Sequence, residues 1–251
     1  TINPSPTINP SPTINPSSAP PLLAQIQAHE SARLDYNLVI TQNDLIADRG
    51  QMHLYWHQQK SLAYDITQTQ EWASGKRSTW VSAGQLAPEG LRPERYSEKT
   101  STSSERATHF DAAHAQVIFS NNSPSQPLLA GMQDRLSILI QLGGLLAAQT
   151  PLPAAGSSID VPVATLSQAG VWHFEIAGLD ASATPDQKTG PWLKVEHHPS
   201  QAWEPDLIIW YDTQYFLPAR IQTTYTNGQV HTAQRQDGDP YQPPPIMSTL
   251  K

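Results

Sequence analysis

The sequence predicts a mainly β protein, in which a curved antiparallel sheet (a half-barrel or open barrel) carries one amphipathic helix packed over its concave face. Over most of the chain apolar residues alternate with polar ones, as strands with one buried face require. Short polar connections separate these segments, which is typical of an antiparallel meander. One internal segment instead repeats its apolar residues at helical spacing.

The alternating segments form two groups along the chain. The apolar positions of the first group are Leu34-Tyr36-Leu38-Ile40, Met52-Leu54-Trp56 and Leu62-Tyr64-Ile66. Those of the second group lie at Ile159–Val163, Trp172–Ile176, Leu193–Val195, Leu207–Tyr211 and Leu217–Tyr225. Asn227-Gly228 then predicts a hairpin turn of type I′, because these residues tolerate positive φ. We expect irregular loops with one short strand over residues 72–93, where glycine and proline recur, and further strands near Tyr96 and over 117–119.

The helical segment runs from Met132 to Ala148. Its apolar residues are Met132, Leu136, Leu139, Leu142 and Leu146. Asp134 stands where a carboxylate stabilises a helix N-terminus, and Pro151 stops the element. A single helix between two groups of strands is expected to close over the concave face of the sheet.

Three regions follow from composition and repeats. Residues 1–32 form a proline-rich tether and lead-in, residues 33–236 the β domain, and residues 237–251 a proline-containing tail. The first 18 residues repeat Thr-Ile-Asn-Pro-Ser-Pro, which favours an extended polyproline II spacer. This spacer would hold the domain away from a membrane anchor upstream of residue 1, or be a tail without a specific role. Residues 19–32 are a short, helix-compatible lead-in.

Charge and composition exclude several functions. The formal net charge is −7, and the 15 Lys and Arg residues are scattered, which disfavours nucleic acid and an anionic membrane surface. The chain has no cysteine, so it has no disulfide, thiol nucleophile or Cys-ligated metal. No apolar run reaches the 18 or so residues of a membrane-spanning helix. The low charge and abundant Gln, Ser, Thr, Asn and Pro favour an exported protein.

Histidines and acids cluster at two places. The first cluster comprises Glu196, His197, His198, Glu204 and Asp206, and the second comprises His109, Asp111 and His114. Adjacent histidines on a strand point to opposite faces and do not readily share one ion. We expect a solvated loop at the first cluster and no metal or other cofactor in the protein.

No motif specifies a reaction. The chain lacks a Gly-x-Ser-x-Gly elbow and a phosphate-binding glycine loop before a helix. Paired carboxylates remain an alternative, since their partners need not be close in sequence. The candidates are Asp134, Glu175, Glu196 and Asp212. They would make the protein a cell-envelope hydrolase acting on a saccharide or ester, with carboxylates or histidines as catalytic groups.

Aromatic residues and arginines provide the candidate ligand-binding residues. They are Tyr36, Trp56, Tyr64, Arg95, Tyr96, Asp134, Arg135, Trp172, Trp210 and Arg220. Most of the aromatic residues suit an ordinary sheet core, and some would line an apolar cavity beneath the helix. Buried charges need partners, so an ion pair from Asp134 to Arg95 or Arg220 is expected to tie helix to sheet. The alternative is an anion or headgroup site.

Three motifs in order resemble a known family. They are GQLAPEGLRPERY at residues 84–96, QDRLS at 133–137, and LPARI at 217–221 followed by Asn227-Gly228. Together they resemble the uncharacterised bacterial family called domain of unknown function 3108, over about residues 33–235. The resemblance implies an exported Gram-negative protein with a curved antiparallel sheet, and it implies no activity. By fold analogy it is similar to half-barrel lipid and lipoprotein carriers of the periplasm.

These observations favour a periplasmic, non-catalytic binding or scaffolding module. Its expected partners are a lipid or other apolar small molecule, held in the half-barrel, or a protein of the cell envelope. A purely structural role, with an exposed sheet edge or the tether as the docking element, is a further hypothesis.

Overall fold

The computed structural model describes residues 31–181 and 191–236 of the 251-residue chain. The hexapeptide repeat, the C-terminal tail and nearly all of the lead-in lie outside the described residues. Ser31 and Ala32, which the sequence assigned to the lead-in, instead open the first strand.

One sheet contains all fifteen described strands, and its neighbours are antiparallel except for the parallel pair β9 and β10. The strands are β1 Ser31–Gln42, β2 Leu45–Gln58, β3 Ala63–Trp72, β4 Arg77–Ala87, β5 Gly90–Thr100, β6 Ser103–Asp111, β7 Gln116–Phe119, β8 Gln126–Pro127, β9 Gln133–Asp134, β10 Ser158–Ala164, β11 Ala169–Asp180, β12 Trp192–His197, β13 Asp206–Asp212, β14 Pro218–Thr224 and β15 Gln229–Arg235. Their spatial order is β8-β7-β6-β5-β4-β3-β2-β1-β15-β14-β13-β12-β11-β10-β9. The predicted mainly β, curved antiparallel architecture is confirmed.

The sheet curls until its two halves approach each other. The hydroxyl of Thr108 in β6 donates to the carbonyl of Thr165, the residue after β10, at 2.7 Å. The side chain of Gln126 in β8 donates to Gln168 at 2.9 Å and accepts from the backbone of Ala169 at 2.7 Å. Side chains rather than a continuous ladder therefore bridge the two edges of an open curled sheet.

The helix α1, Ser137–Ala147, lies inside this curl. All its residues are buried except Leu145 and Ala147, which are partly covered. A helix that is covered nearly all round belongs to a core, so α1 is enclosed more fully than an amphipathic lid would be. The reason is the curl, which brings strands from both halves of the sheet against it. Among the described residues, no helix is long and apolar enough to cross a membrane.

Side chains of the sheet hold α1 through its polar groups. The Tyr211 hydroxyl donates to the carbonyl of Leu139 at 2.9 Å. Gln141 on α1 accepts from the backbone of Leu91 at 2.8 Å and donates to the carbonyl of Glu89 at 3.1 Å. These bonds join the helix to β13 and to the β4–β5 turn, so both halves of the sheet contact it.

Two expectations about local structure were wrong. Residues 72–93 form the long strands β4 and the start of β5 instead of irregular loops. The inward positions of β4 include Ser82 and Gly84, which hide the apolar alternation. Gly84 is required there because an added Cβ would lie 2.2 Å from the carbonyl oxygen of Arg92.

The turn at Asn227-Gly228 is a hairpin, but it is not type I′. Gly228 alone has positive φ, 79°, and the Tyr225–Gln229 backbone bond closes a three-residue loop, the pattern of a type I turn with a following left-handed glycine. The two-residue turn with positive φ at both positions lies instead at Asn43 and Asp44, with φ of 49° and 61°. Both residue types tolerate this region.

We predict that Gly143→Ala destabilises the protein by about 2 kcal/mol, a typical cost of overpacking a core. An added Cβ would lie 2.1 Å from the carbonyl oxygen of Phe216 and 3.2 Å from the Tyr211 ring. Helix propensity alone favours alanine by about 1 kcal/mol, so the predicted sign is opposite to that of an uncrowded helix. Urea unfolding of both proteins measures the difference, and a more stable variant would contradict the close packing of α1.

Candidate ligand-binding cleft

An open cleft of about 260 Å³ enters the curled sheet at the end that carries the β1–β2, β3–β4 and β14–β15 turns, which we call the hairpin end. Its floor is formed by Leu139 of α1 and by Arg135, just before the helix. Its wall is mostly apolar and includes Leu38, Met52, Trp72, Trp80, Leu207 and Ile221. We call this space the apolar cleft.

A second space of about 270 Å³ adjoins the apolar cleft at the same end, and we call it the polar chamber. Glu98, Arg135, Pro205 and Tyr225 border both spaces. The other residues of the polar chamber include Arg106, Thr165, Ser167, Trp203, Thr224 and Thr226. Hydroxyl groups and charged side chains dominate the lining of the polar chamber, whereas hydrocarbon dominates the lining of the apolar cleft.

Arg135 stands at the junction of the two spaces. Its Cζ lies 4.9 Å from the centre of the Trp80 ring, within cation–π range, and its Nη1 lies 3.4 Å from Oε1 of Glu98. The same Glu98 oxygen accepts the hydroxyl of Tyr96. The Arg135 side chain is 22% exposed and borders both spaces.

His231 forms part of the mouth. Its ring makes edge contacts with Trp72 and Tyr225, at centroid distances of 5.7 and 4.7 Å. Burial lowers the pKa of His231, so the ring is neutral at pH 7. Nε2 of this ring is buried and has no hydrogen-bond partner among the described residues.

Asp134 is a structural group of the helix start. Its Oδ1 accepts the backbone N–H groups of Leu136 and Ser137, each at 2.8 Å, and its Oδ2 accepts the hydroxyl of Ser82 at 2.6 Å. Burial raises the pKa of this carboxyl to about 6, and these hydrogen bonds oppose the shift only in part. The predicted role at the helix N-terminus matches this geometry.

The expected ion pair from Asp134 to Arg95 or Arg220 is absent. Arg95 instead pairs with Glu105, and Arg220 lies over the Trp210 ring with its Cζ 4.8 Å from the ring centre. Both arginines project from the outer face of the sheet, because each neighbours a residue whose side chain points inward. The carboxylate of Asp134 instead accepts hydrogen bonds from the Ser82 hydroxyl and from two backbone amides.

The ten predicted ligand-binding residues are divided among three places. Two of them, Arg135 and Trp172, border the apolar cleft. Five are in the core around α1: Tyr36, Trp56, Tyr64, Tyr96 and Asp134. Three are on the outer face: Arg95, Trp210 and Arg220. The Trp210 indole N–H donates there to Asp180 at 3.0 Å, within a separate small cluster that includes Trp192.

Several residues of the cleft were missed. Trp80, Glu98 and Thr100 project inward from β4 and β5, and His231 from β15. A signal for Glu98 was available, since it follows inward Tyr96 by two residues on one strand. The signal for Trp80 was weaker, because the next inward residues of its strand are Ser82 and Gly84.

The first histidine cluster is not a solvated loop. His197 and Glu204 have side chains that are each 1% exposed, with Nε2 of the imidazole 3.7 Å from the carboxylate. The His197 ring stacks on Trp172 at 4.7 Å, and burial lowers its pKa. His198, on the other face, is exposed and lies 3.4 Å from Asp206. In the second cluster, His114 contacts Asp111 at 2.7 Å.

Within the described ranges, no three His, Cys, Asp or Glu residues are placed to hold a metal ion. The four candidate carboxylates also lie apart from the cleft. Asp134 and Asp212 are fully buried, the latter 2.7 Å from Arg235. Glu175 and Glu196 face each other across the outer surfaces of β11 and β12.

We predict that Asp134→Asn removes a pH dependence of stability while it keeps an oxygen that accepts the Leu136 and Ser137 amides. A carboxyl whose folded pKa is raised from 3.8 to about 6 destabilises the fold as pH rises through that window. The wild type should therefore lose up to about 3 kcal/mol relative to Asp134→Asn between pH 4 and pH 7. Urea unfolding at several pH values measures this difference.

The Ala variant serves as the contrast. It should be less stable than Asp134→Asn at every pH by about 1–3 kcal/mol, because the Leu136 and Ser137 amides lose their acceptor. A constant difference between wild type and Asp134→Asn across this range would contradict the buried, proton-binding state of Asp134.

Comparison with solved structures supports the fold. A crystal structure from Brucella abortus, described as a beta-barrel-like protein of domain of unknown function DUF1849, matches with a TM-score of 0.56 at 11% identity. The match covers 84% of this chain and 98% of that one. The likeness concerns the fold alone.

Two weaker matches have TM-scores too low to establish a shared fold. The MucA/MucB complex of Pseudomonas aeruginosa matches at 0.33 and 11% identity, over 85% of this chain and 52% of that chain. A DUF1329 family protein from Desulfovibrio piger matches at 0.28 and 8% identity, over 86% and 87%.

No curated protein matches the sequence significantly. A family model does, over residues 42–234, which include β2 to β14 and most of β15. The chain therefore belongs to the family described as protein of unknown function (DUF3108).

Proposed function

We propose that this protein is a non-catalytic binding module whose apolar cleft holds an apolar or amphipathic small molecule. The observation that carries the proposal is the open, mostly hydrocarbon-lined space at the hairpin end, with the buried helix as its floor. Small-molecule sites have this composition, mostly apolar walls with a few fixed polar groups.

The size of the cleft limits what enters it. About 260 Å³ exceeds the roughly 150 Å³ of a core cavity that takes up benzene. It is slightly smaller than the roughly 300–1,000 Å³ of common ligand pockets. A single alkyl chain or a small ring system therefore suits the space better than a whole two-chain lipid.

The arrangement of ionisable groups favours binding over hydrolysis. A glycoside hydrolase needs two carboxyl groups facing one cleft, about 5–10 Å apart. Among the described residues, Glu98 is the one acid that borders the apolar cleft. It is already bonded to Tyr96 and Arg135. This environment supports a ligand contact or a structural role for Glu98.

The proposal includes export to the periplasm. The low fraction of charged residues, 15%, and the abundance of Gln, Ser, Thr, Asn and Pro favour that compartment, as does the family resemblance of the sequence. Fractionation of the native host, with an antibody against the chain, tests this part. Recovery from the cytosol would contradict it.

We predict that Thr223→Trp abolishes uptake of an apolar fluorescent probe such as N-phenyl-1-naphthylamine. Thr223 borders the cleft from β14, so a tryptophan there fills the space that the probe would occupy. The wild type should bind the probe with a blue-shifted emission, and the variant should lose at least about tenfold in affinity, or about 1.4 kcal/mol.

Gln222→Trp provides the matched control. Gln222 is the adjacent residue of the same strand and points to the opposite face. It should therefore leave probe binding within about twofold of the wild type, which corresponds to less than about 0.5 kcal/mol. Equal loss in both variants, or no binding by the wild type, would contradict the cleft as the site.

A further inference from the structure

We propose that the polar chamber binds the anionic head group of a single-chain amphiphile, a carboxylate or a phosphate ester, while the chain occupies the apolar cleft. This inference rests on the proposed function and specifies the chemical class of its ligand. It is drawn from the adjacency of two unlike spaces and from two arginines that border the polar one.

Arg135 is the first group that carries the inference. It borders both spaces, so a head group on it leaves the chain facing the hydrocarbon wall. A guanidinium has five N–H donors in a planar fork. Among the described residues its one ion-pair partner is Glu98, at the long distance of 3.4 Å. Tyr225 is a further hydrogen-bond partner of its side chain. With five donors and these two partners, donors remain for a ligand oxygen at the junction.

Arg106 is the second group. It lies directly opposite Glu98 in the register of β5 and β6, and its side chain borders the polar chamber. In the part of the chain that the structure describes, it forms no salt bridge, and it is exposed. Arg106 and Arg135 thus flank the single carboxylate of Glu98. One of the two guanidinium groups therefore has no carboxylate of its own to pair with.

The other acid of the polar chamber, Glu204, forms no ion pair with either arginine. Glu204 is buried, and its carboxylate accepts hydrogen bonds from the backbone and hydroxyl of Ser200 and from the backbone of Gln201. It also lies 3.7 Å from Nε2 of the buried His197 ring. These neutral donors hold the carboxylate within its own loop, where it forms no ion pair with Arg106 or Arg135.

Chemical complementarity favours an anion with at least two oxygens. Guanidinium groups bind carboxylates and phosphates through paired, charge-assisted hydrogen bonds. The hydroxyls of Ser167, Thr224 and Thr226 border the same chamber and supply further donors. The overall charge of −7 repels anions in bulk, but at physiological salt it is screened beyond about 8 Å, so the local arginines dominate.

The test compares four ligands with the same ten-carbon chain on the full-length protein. Decanoate, decyl phosphate, decan-1-ol and decyltrimethylammonium are titrated by calorimetry and by displacement of N-phenyl-1-naphthylamine. The two anions are expected to bind about tenfold tighter than the alcohol, as for a hydrogen bond to a charged group, and the cation more weakly than the alcohol. Acetate and inorganic phosphate, which have the head group without the chain, should bind at least about tenfold more weakly than the anionic amphiphiles.

Arg106→Gln and Lys99→Gln form a matched pair. Each removes one positive charge from an exposed position, but Lys99 projects from the outer face of β5. Arg106→Gln should weaken both anions about threefold to tenfold and leave decan-1-ol unchanged, whereas Lys99→Gln should change neither by more than about twofold. Arg135→Lys, checked for folding by its melting temperature, should weaken the anions while it retains the charge.

The outcomes separate this inference from the proposed function. If all four decyl compounds bind alike and Arg106→Gln has no effect, the head-group assignment is overturned and the apolar cleft stands. If inorganic phosphate binds as tightly as decyl phosphate, the chamber is a free-anion site and the amphiphile assignment is overturned. If no decyl compound and no probe binds, both proposals fail.

Discussion

Enclosure of a helix within a curled sheet is the constraint on which the rest of this structure depends. A helix end that is shut off from water needs protein partners for its free amides and carbonyls. Asp134 supplies acceptors at the start of α1, and the Tyr211 hydroxyl donates to the carbonyl of Leu139 on it. Gln141 of α1 in turn bonds to the backbone of Leu91 and Glu89. The groups that bond to the helix thus belong to both halves of the sheet. The helix therefore joins the two halves of the curled sheet, and the sheet in turn encloses the helix.

The cleft is a consequence of unequal lengths. An α-helix of 11 residues is about 16 Å long, whereas a strand of 14 residues extends about 46 Å. Even when the strands are tilted, α1 fills only part of the interior. It fills the end that contains the β4–β5 turn, and inward side chains at the hairpin end remain uncovered by it. The same inner face of the sheet is thus a dense core at one end and a ligand-accessible wall at the other.

A few residues separate the apolar cleft from the polar chamber. Arg135 occupies the boundary because it follows Asp134, whose hydrogen bonds place the start of the helix. Stacking on Trp80 and pairing with Glu98 then hold its guanidinium toward the hairpin end. A structural carboxylate thereby positions a neighbouring arginine for a different task. The pair that the sequence suggested, Asp134 with an arginine, is replaced by two adjacent residues with separate partners.

The sequence by itself determined the strand class, the helix and the face of most strands, because a period of two or of 3.6 is a local property. It also indicated Asp134 at the helix start, where the partners are two and three residues away. Tertiary structure decided which inward residues became core and which became cleft. Trp80 and Tyr225 border one space only because strands far apart in sequence curl together, and alternation contains no information about that distance. Tertiary structure also decided the burial of His197, because the Trp172 ring that stacks on it belongs to a neighbouring strand.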